Sequence, residues 1–320
     1  MKLPELKIGN LVAKLPIIQG GMAVRISTGA LAGAVAATGA IGVIGASGMA
    51  FDELRQEIRL AREKAQGGIV GINIMFAARE FWGIVQTAIK EKIDLIITGA
   101  GFSRDIFKAG RESNTPIVPI VSSARLAETS EKLGASAVVL EAKEAGGHLG
   151  TDRSLWELLP EVRKATSLPL IAAGGIINGK ELVRALKEGA NAVQIATRFV
   201  FSEECNAAPA FKKRYQDATK DDVVIISSPV GMPGRALKTA FVEKILNKTA
   251  PKPIGCDFCL KHCSLEYCIM QALINAQKGD IENGIVFSGE YVWKIKDRTI
   301  KPAAKIIEEI VKEAEEVKDC

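Results

Sequence analysis

The sequence predicts an α/β chain folded as a (β/α)8 TIM barrel, with a helical, cysteine-containing insertion after the eighth strand. Three observations predict it. Short apolar runs recur eight times between Pro16 and Arg198. Segments with amphipathic helical spacing lie between them. Glycine and small or polar residues gather where the runs end. Runs that are apolar throughout, rather than alternating, are buried on both faces, as in a parallel sheet. Eight such units within about 200 residues favour closure into a barrel. A doubly wound open sheet is the alternative architecture.

The runs follow in order. The first is "PIIQG" from Pro16. The apolar stretch from Leu31 to Ala46 is interrupted by glycines and reads as a buried helix, a turn and the second strand, "IGVIGA". "DELRQEIRLAREKAQ" is an amphipathic helix with Asp52 as N-cap and Gly67-Gly68 as its stop. "IVGINIM", "LIITGA" and "PIVPIV" start at Ile69, Leu95 and Pro116 as strands three to five. A helix follows from Ser123 to Gly134. "AVVLEA" from Ala137 is strand six and "PLIAAGG" from Pro169 strand seven. A helix capped by Asn178 and ended by Gly189 leads to "AVQIATR" from Ala192, strand eight. After Arg198 the rhythm breaks. Residues 199–290 read as the insertion, a lid over the barrel mouth. Residues 1–198 and 291–320 read as the barrel, whose last helix starts near Pro302.

Composition narrows the function. Across 320 residues, 48% are hydrophobic and 25% charged, as in a soluble globular chain. A net charge of +5 without an aromatic-interleaved basic stripe argues against nucleic acid. No apolar run is long enough to span a membrane, and "MKLPELKIGN" has no apolar core of a leader. A cytoplasmic location is expected.

The chemistry of a barrel of this kind lies at the C-terminal strand ends. Glycines there let the main chain approach a ligand and present N–H donors. The loops after strands seven and eight are the usual phosphate site. Here they carry Gly174, Gly175, Ala196 and Thr197. The stretch "EAGGHLG" after strand six holds His148, one of two histidines. A histidine titrates near neutral pH and suits proton transfer. Its plain alternative is a hydrogen-bonded loop histidine. In the insertion, Cys256, Cys259, Cys263 and Cys268 form C-x2-C-x3-C-x4-C. Four thiolates at such spacing suit zinc or an iron–sulfur cluster, with His262 as a substitute ligand. The alternative is a group of reduced cysteines packing a turn. Cys205 and Cys320 lie apart from any motif.

The motifs "PIIQGGM", "GINIM", "TGAG", "EAGGHLG", "IAAGGI", "QIATRF" and "SSPVGMPGRALK" together resemble the nitronate monooxygenase (2-nitropropane dioxygenase) family. They are similarly close to FMN-dependent enoyl-acyl carrier protein reductases. The resemblance implies an FMN flavoprotein. It implies that Gly21 and Met22 lie against the isoalloxazine and that Asn73 and Glu141 contact the ring. Gly146 supplies a backbone contact. Gly174, Gly175, Gln194, Ile195, Ala196 and Thr197 surround the FMN phosphate. His148 matches the histidine proposed as catalytic base in nitronate oxidation; as imidazolium it would instead bind the anion. Glu141 departs from the glutamine of many members, and Lys143 stands where a small residue is common.

Three functions follow. The first is oxidation of nitronates or nitroalkanes with dioxygen. The second is NAD(P)H-dependent reduction of an enoyl thioester, with an acyl carrier protein as partner. The third is a flavin-binding barrel without turnover. The partners expected are a small-molecule substrate, dioxygen or NAD(P)H, and a second copy in a homodimer.

Overall fold

The computed structural model describes residues 2–317; Cys320 lies outside them. Eight parallel strands form the barrel: β1 (Ile17–Gln19), β2 (Gly42–Gly45), β3 (Val70–Met75), β4 (Leu95–Gly99), β5 (Ile117–Val121), β6 (Val138–Glu141), β7 (Leu170–Ala173) and β8 (Ala192–Ile195). Their order around the sheet is β1-β8-β7-β6-β5-β4-β3-β2. A single parallel bridge between Ile18 and Ile41 closes the ring. Two hydrogen bonds make that seam, Gln19 N–H to Ile41 C=O and Ile41 N–H to Ile17 C=O, both 2.9 Å.

Seven helices alternate with the strands: α1 (Gly29–Ala36), α2 (Phe51–Ala65), α3 (Phe81–Lys90), α4 (Arg104–Ser113), α5 (Ala124–Leu133), α6 (Leu155–Ala165) and α7 (Gly179–Lys187). Capping explains two of their starts. Ser123 Oγ accepts the Leu126 N–H at 3.3 Å. Asn178 Oδ1 accepts the Lys180 and Glu181 N–H groups, each at 3.0 Å. At α2 the cap differs from expectation. Ala50 is the N-cap and Asp52 lies inside the first turn. Glu53 reaches back to the Ala50 N–H at 3.3 Å and also binds Arg25, so it fixes the start instead.

The barrel interior is a cluster of fully buried side chains, among them Ile18, Val43, Ile97, Val139 and Ile171. Each such side chain contributes about 1.5–3 kcal/mol relative to exposure. An antiparallel hairpin, Leu6–Ile8 with Leu11–Ala13, places Leu6, Ile8 and Ala13 in the same cluster. It therefore plugs the end of the barrel opposite the strand C-termini. The remaining apolar strand faces meet the helices. That arrangement accounts for runs that are apolar throughout.

Beyond β8 the chain makes a 3-10 turn (Thr197–Phe201) and then α8 (Pro209–Gln216), β9 (Val223–Ser227), β10 (Pro233–Leu237), α9 (Ala240–Leu246), α10 (Ile269–Gln277) and β11 (Val286–Phe287). Strands β9, β10 and β11 form an antiparallel sheet, and β10 also pairs with Gly147–His148. The segment is thus mixed rather than purely helical. The last helix, α11 (Ala303–Glu315), packs against α7 and α1, in the eighth helical place around the barrel. No helix among the described residues is long and apolar enough to cross a membrane.

Candidate active site

A cavity of about 510 Å³ opens at the C-terminal ends of the strands, beneath the segment that follows β8. Gly21, Met22, Asn73, Glu141, Gly146, His148, Gly174, Gly175, Gln194, Ile195, Ala196 and Thr197 all line it. Strand register explains the grouping. Glu141 lies opposite Ala173, and Ala173 opposite Gln194. Two long polar side chains therefore flank a small one on adjoining strands. Asn73 lies on β3, opposite Gly45 and Ile97 on the neighbouring strands.

The polar groups on these walls are left for a ligand. Gln194 Oε1 is buried and has no hydrogen-bond partner. The Asn73 amide makes one long contact, 3.4 Å to Ile97 C=O. Glu141 has no hydrogen bond or ion pair among the described residues, and burial alone pushes its carboxyl up to about 7. A buried polar group without a partner is costly and calls for an explanation. A polar ring seated in the cavity supplies one.

After β7 the chain turns through two left-handed glycines, Gly174 at φ 99° and Gly175 at φ 76°. Among the described residues, neither N–H donates to a protein acceptor, nor does that of Ala196. A nest of free N–H groups at this place fits a phosphate. Side chains are excluded there: a Cβ on Gly175 would lie 3.1 Å from both Glu144 and Tyr291. Close approach also explains Gly21 and Gly146. A Cβ on Gly21 would fall 2.5 Å from Asn73 Cβ, and one on Gly146 2.5 Å from the Ser288 carbonyl carbon.

His148 is held from the other side of the cavity. Gly147 and His148 pair with Arg235 and Gly234 of β10. The ring stands edge-on to Phe287, with centroids 5.2 Å apart. Its Nε2 lies 2.8 Å from Ser228 Oγ. Burial pushes the imidazole down to about 4, so it is neutral at pH 7. Arg235 locks the same loop. Its buried guanidinium donates to Ala145 C=O at 3.1 Å and to Lys143 C=O, and it pairs with Glu290 at 3.3 Å. Glu144, buried beside it, accepts the Leu155 N–H at 3.1 Å, and burial raises its carboxyl.

Sequence reading missed most of this clasp. Ser228 and Arg235 stand 80 and 88 positions from their partners at His148 and Gly147 in the chain. The segment "SSPVGMPGR" was marked by its turn chemistry and by the family resemblance, with Ser228 or Arg235 as candidates to touch substrate, but not by their pairing with the histidine loop. Tyr215, Phe287 and Tyr291 also line the cavity and were not anticipated.

The metal expectation gains no support. Among the described residues no group of three or more His, Cys, Asp or Glu side chains is arranged to hold a metal ion. Cys256 Sγ accepts the Phe258 N–H at 3.3 Å, and Cys268 Sγ caps α10 by accepting the Gln271 N–H at 3.5 Å. Cys259 and Cys263 pack against the apolar cluster around Tyr267 and Phe241. The thiols are neighbours, since Cys259 is raised by burial and by the other three. Their sulfurs nonetheless serve local turns and packing. None of them lines the cavity.

Comparison with known proteins identifies the family. The sequence profile of the nitronate monooxygenase family matches residues 5–80 and 60–313. A protein of Staphylococcus saprophyticus described as "Probable nitronate monooxygenase" is 26% identical, with 99% of each chain covered. A (3aS,4S,5R,7aS)-5-hydroxy-7a-methyl-1-oxo-octahydro-1H-indene-4-carboxyl-CoA dehydrogenase of Mycobacterium tuberculosis is 30% identical over 72% of this chain and 65% of its own length. The structure of FabK from Thermotoga maritima superposes with a TM-score of 0.85 at 34% identity, over 95% of this chain and 94% of that one. With the family profile spanning nearly the whole barrel and its insertion, this chain belongs to the nitronate monooxygenase family.

Proposed function

We propose that the chain is an FMN-dependent oxidoreductase that oxidises nitroalkanes and nitronates with dioxygen. The choice of chemistry rests on the placement of His148, which lines the cavity with its Nε2 held 2.8 Å from Ser228 Oγ, and whose burial favours the neutral imidazole. A neutral imidazole accepts a proton. It does not bind an anion as a cation would. This assigns His148 a role with a neutral nitroalkane, which must lose its α-proton, whereas a nitronate, already deprotonated, needs no base.

The residues present fit FMN. Gly174, Gly175, Ala196 and Thr197 would hold its phosphate through free N–H groups and a hydroxyl. Asn73, Glu141 and Gln194 would meet the polar edge of its ring, and Gly21, Met22 and Gly146 its faces and rim. Bound FMN supplies an electron acceptor for the substrate and a route for those electrons to dioxygen. The protein's share is orientation and proton movement. His148 takes the α-proton, and the sheet pairing of Gly147–His148 with β10 keeps the ring in place. The segment after β8 adds Phe211, Met232, Leu273 and Phe287 to the cavity wall and would help shield it from water.

A second reading, reduction of an enoyl thioester by NAD(P)H with an acyl carrier protein as partner, is favoured by one feature. Val24, Ile26, Phe211, Leu273 and Ile285 also line the cavity and give it apolar wall of the kind an acyl chain needs. That reaction ends with protonation of carbon, for which a neutral, proton-poor histidine is less suited. Anaerobic bleaching of the flavin separates the readings. Bleaching by a nitroalkane supports the first, and bleaching by NAD(P)H supports the second. An unbleached flavin with either leaves a binding barrel.

A further inference from the structure

Glu141 brings a carboxyl to the cavity with nothing in the protein to hold it as an anion. It ends β6, two positions after Val139 and in register with Ala173 of β7. Side chains two apart on a strand share a face, and Val139, Ile171 and Ala173 all belong to the apolar barrel interior. The carboxyl therefore stands on an apolar floor, with Ile120 and Val121 of β5 on the same wall. Among the described residues no Lys or Arg lines the cavity. The other titratable groups on its wall are Glu144, His148, Tyr215 and Tyr291. Glu144 accepts the Leu155 N–H, His148 meets Ser228 Oγ, and Tyr215 donates to Phe287 C=O. Lys143, on the loop that follows, lies off the cavity wall. For a carboxyl without water, cation or hydrogen-bond donor, the anion is the costly form. Burial raises it to about 7 accordingly.

We infer that Glu141 binds FMN as a neutral carboxylic acid, donating its proton to the polar edge of the ring, so that cofactor binding is coupled to proton uptake. The inference rests on the FMN reading of this cavity. A neutral acid offers an O–H donor beside its carbonyl acceptor, whereas a carboxylate only accepts. The polar edge of an isoalloxazine carries more acceptors than donors, so a carboxylate there would set acceptor against acceptor. The neutral acid reproduces the donor and acceptor pair of a glutamine amide. That accounts for an acid at the position where the family resemblance leads one to expect glutamine. Asn73 and Gln194, which share the wall, are amides and keep their donors at any pH. Of the three side chains that would meet the ring edge, Glu141 alone makes its contact depend on a proton. Seating the ring over the carboxyl excludes water from it and favours the proton further.

The test reads binding, not turnover. Full-length apoprotein is titrated with FMN at pH 6.5 and pH 8.5, and flavin fluorescence gives the affinity. Wild type is expected to bind roughly tenfold or more weakly at pH 8.5, because the carboxylate must first regain a proton. Glu141→Gln keeps donor and acceptor at both pH values and is expected to lose at most about twofold. The second ionisation of the FMN phosphate, at about 6, is common to both proteins and cancels in the comparison. Calorimetry at pH 8 in buffers of different ionisation enthalpy counts the protons. Wild type is expected to take up about one per FMN and Glu141→Gln close to none. A wild-type affinity that falls no more than that of the variant overturns the inference and leaves the FMN reading intact. So does wild-type binding at pH 8 without proton uptake, whether or not the variant folds. Apoprotein that takes no FMN at either pH overturns the FMN reading and the inference with it.

Discussion

His148 Nε2 and Ser228 Oγ meet at 2.8 Å across the seam between a barrel loop and the segment inserted after β8. The two residues are 80 positions apart in the chain. This contact joins the residue proposed as base to the cover of its cavity.

The acid limb of activity should lie low. Burial holds His148 near 4 in the fold against about 6.5 in the unfolded chain. Its folded pKa is depressed, so the stability it contributes is present above about 6.5 and lost as pH falls through about 4. The same depression keeps the base competent through pH 5. The kcat/KM profile should therefore show no loss assignable to histidine between pH 7 and pH 5. A loss centred near 6.5 that disappears in His148→Gln would contradict the burial argument.

Glu141 works with the opposite sign. Its folded carboxyl is raised to about 7 from 4.5. The protonated form suits the fold, so the stability it contributes is present below about 4.5 and lost as pH rises through about 7. Glu141→Gln should raise Tm at pH 8 by roughly 1–2 °C, the scale of about 1 kcal/mol in a chain of this size. At pH 4 it should change little. Thermal unfolding monitored at both pH values checks this, and an equal shift at both would refute it.

The glycine turn after β7 should govern cofactor retention. A side chain at Gly174 meets Ala145 N at 3.1 Å and Ala142 O at 3.2 Å, on a backbone at φ 99°. Gly174→Val is expected to weaken FMN binding by about tenfold or more through loss of phosphate N–H geometry. Far-UV circular dichroism should stay near wild type. Flavin fluorescence titration reads the affinity.

Arg235→Met should loosen the histidine loop. It removes donors to Ala145 and Lys143 and the pair with Glu290. The cost is expected on the order of 2–3 kcal/mol, since the buried carbonyls lose charge-assisted bonds. Arg235→Lys should recover little, because a single ammonium cannot span both carbonyls as the guanidinium does. Urea unfolding of the three proteins measures the order.

The barrel was legible because its signal is local and repeated. Strands such as Leu95–Gly99 are buried on both faces, so they read as unbroken apolar runs ending in small residues. The cavity wall was legible for the same reason: Gly174, Gly175 and Thr197 sit at strand ends that the barrel itself brings together. The clasp on His148 was not, because it depends on pairing between Gly234 and His148 across a long stretch of chain. The run "VVIIS" carried strand propensity, but nothing local gave it a partner. The cysteine spacing fixed less for a related reason. Spacing shows which thiols can be near one another, whereas ligation needs their sulfurs to converge, and Cys256 and Cys268 turn theirs onto neighbouring backbone N–H groups.

The most direct test of the central claim is the rate at which a neutral nitroalkane bleaches the flavin in the absence of oxygen, measured by stopped flow in wild type and His148→Gln at matched FMN occupancy. General base catalysis by His148 predicts bleaching in the wild type and a rate lower by roughly 10²-fold or more in the variant. Equal rates in the two proteins, or a flavin bleached by NAD(P)H and untouched by the nitroalkane, would contradict it.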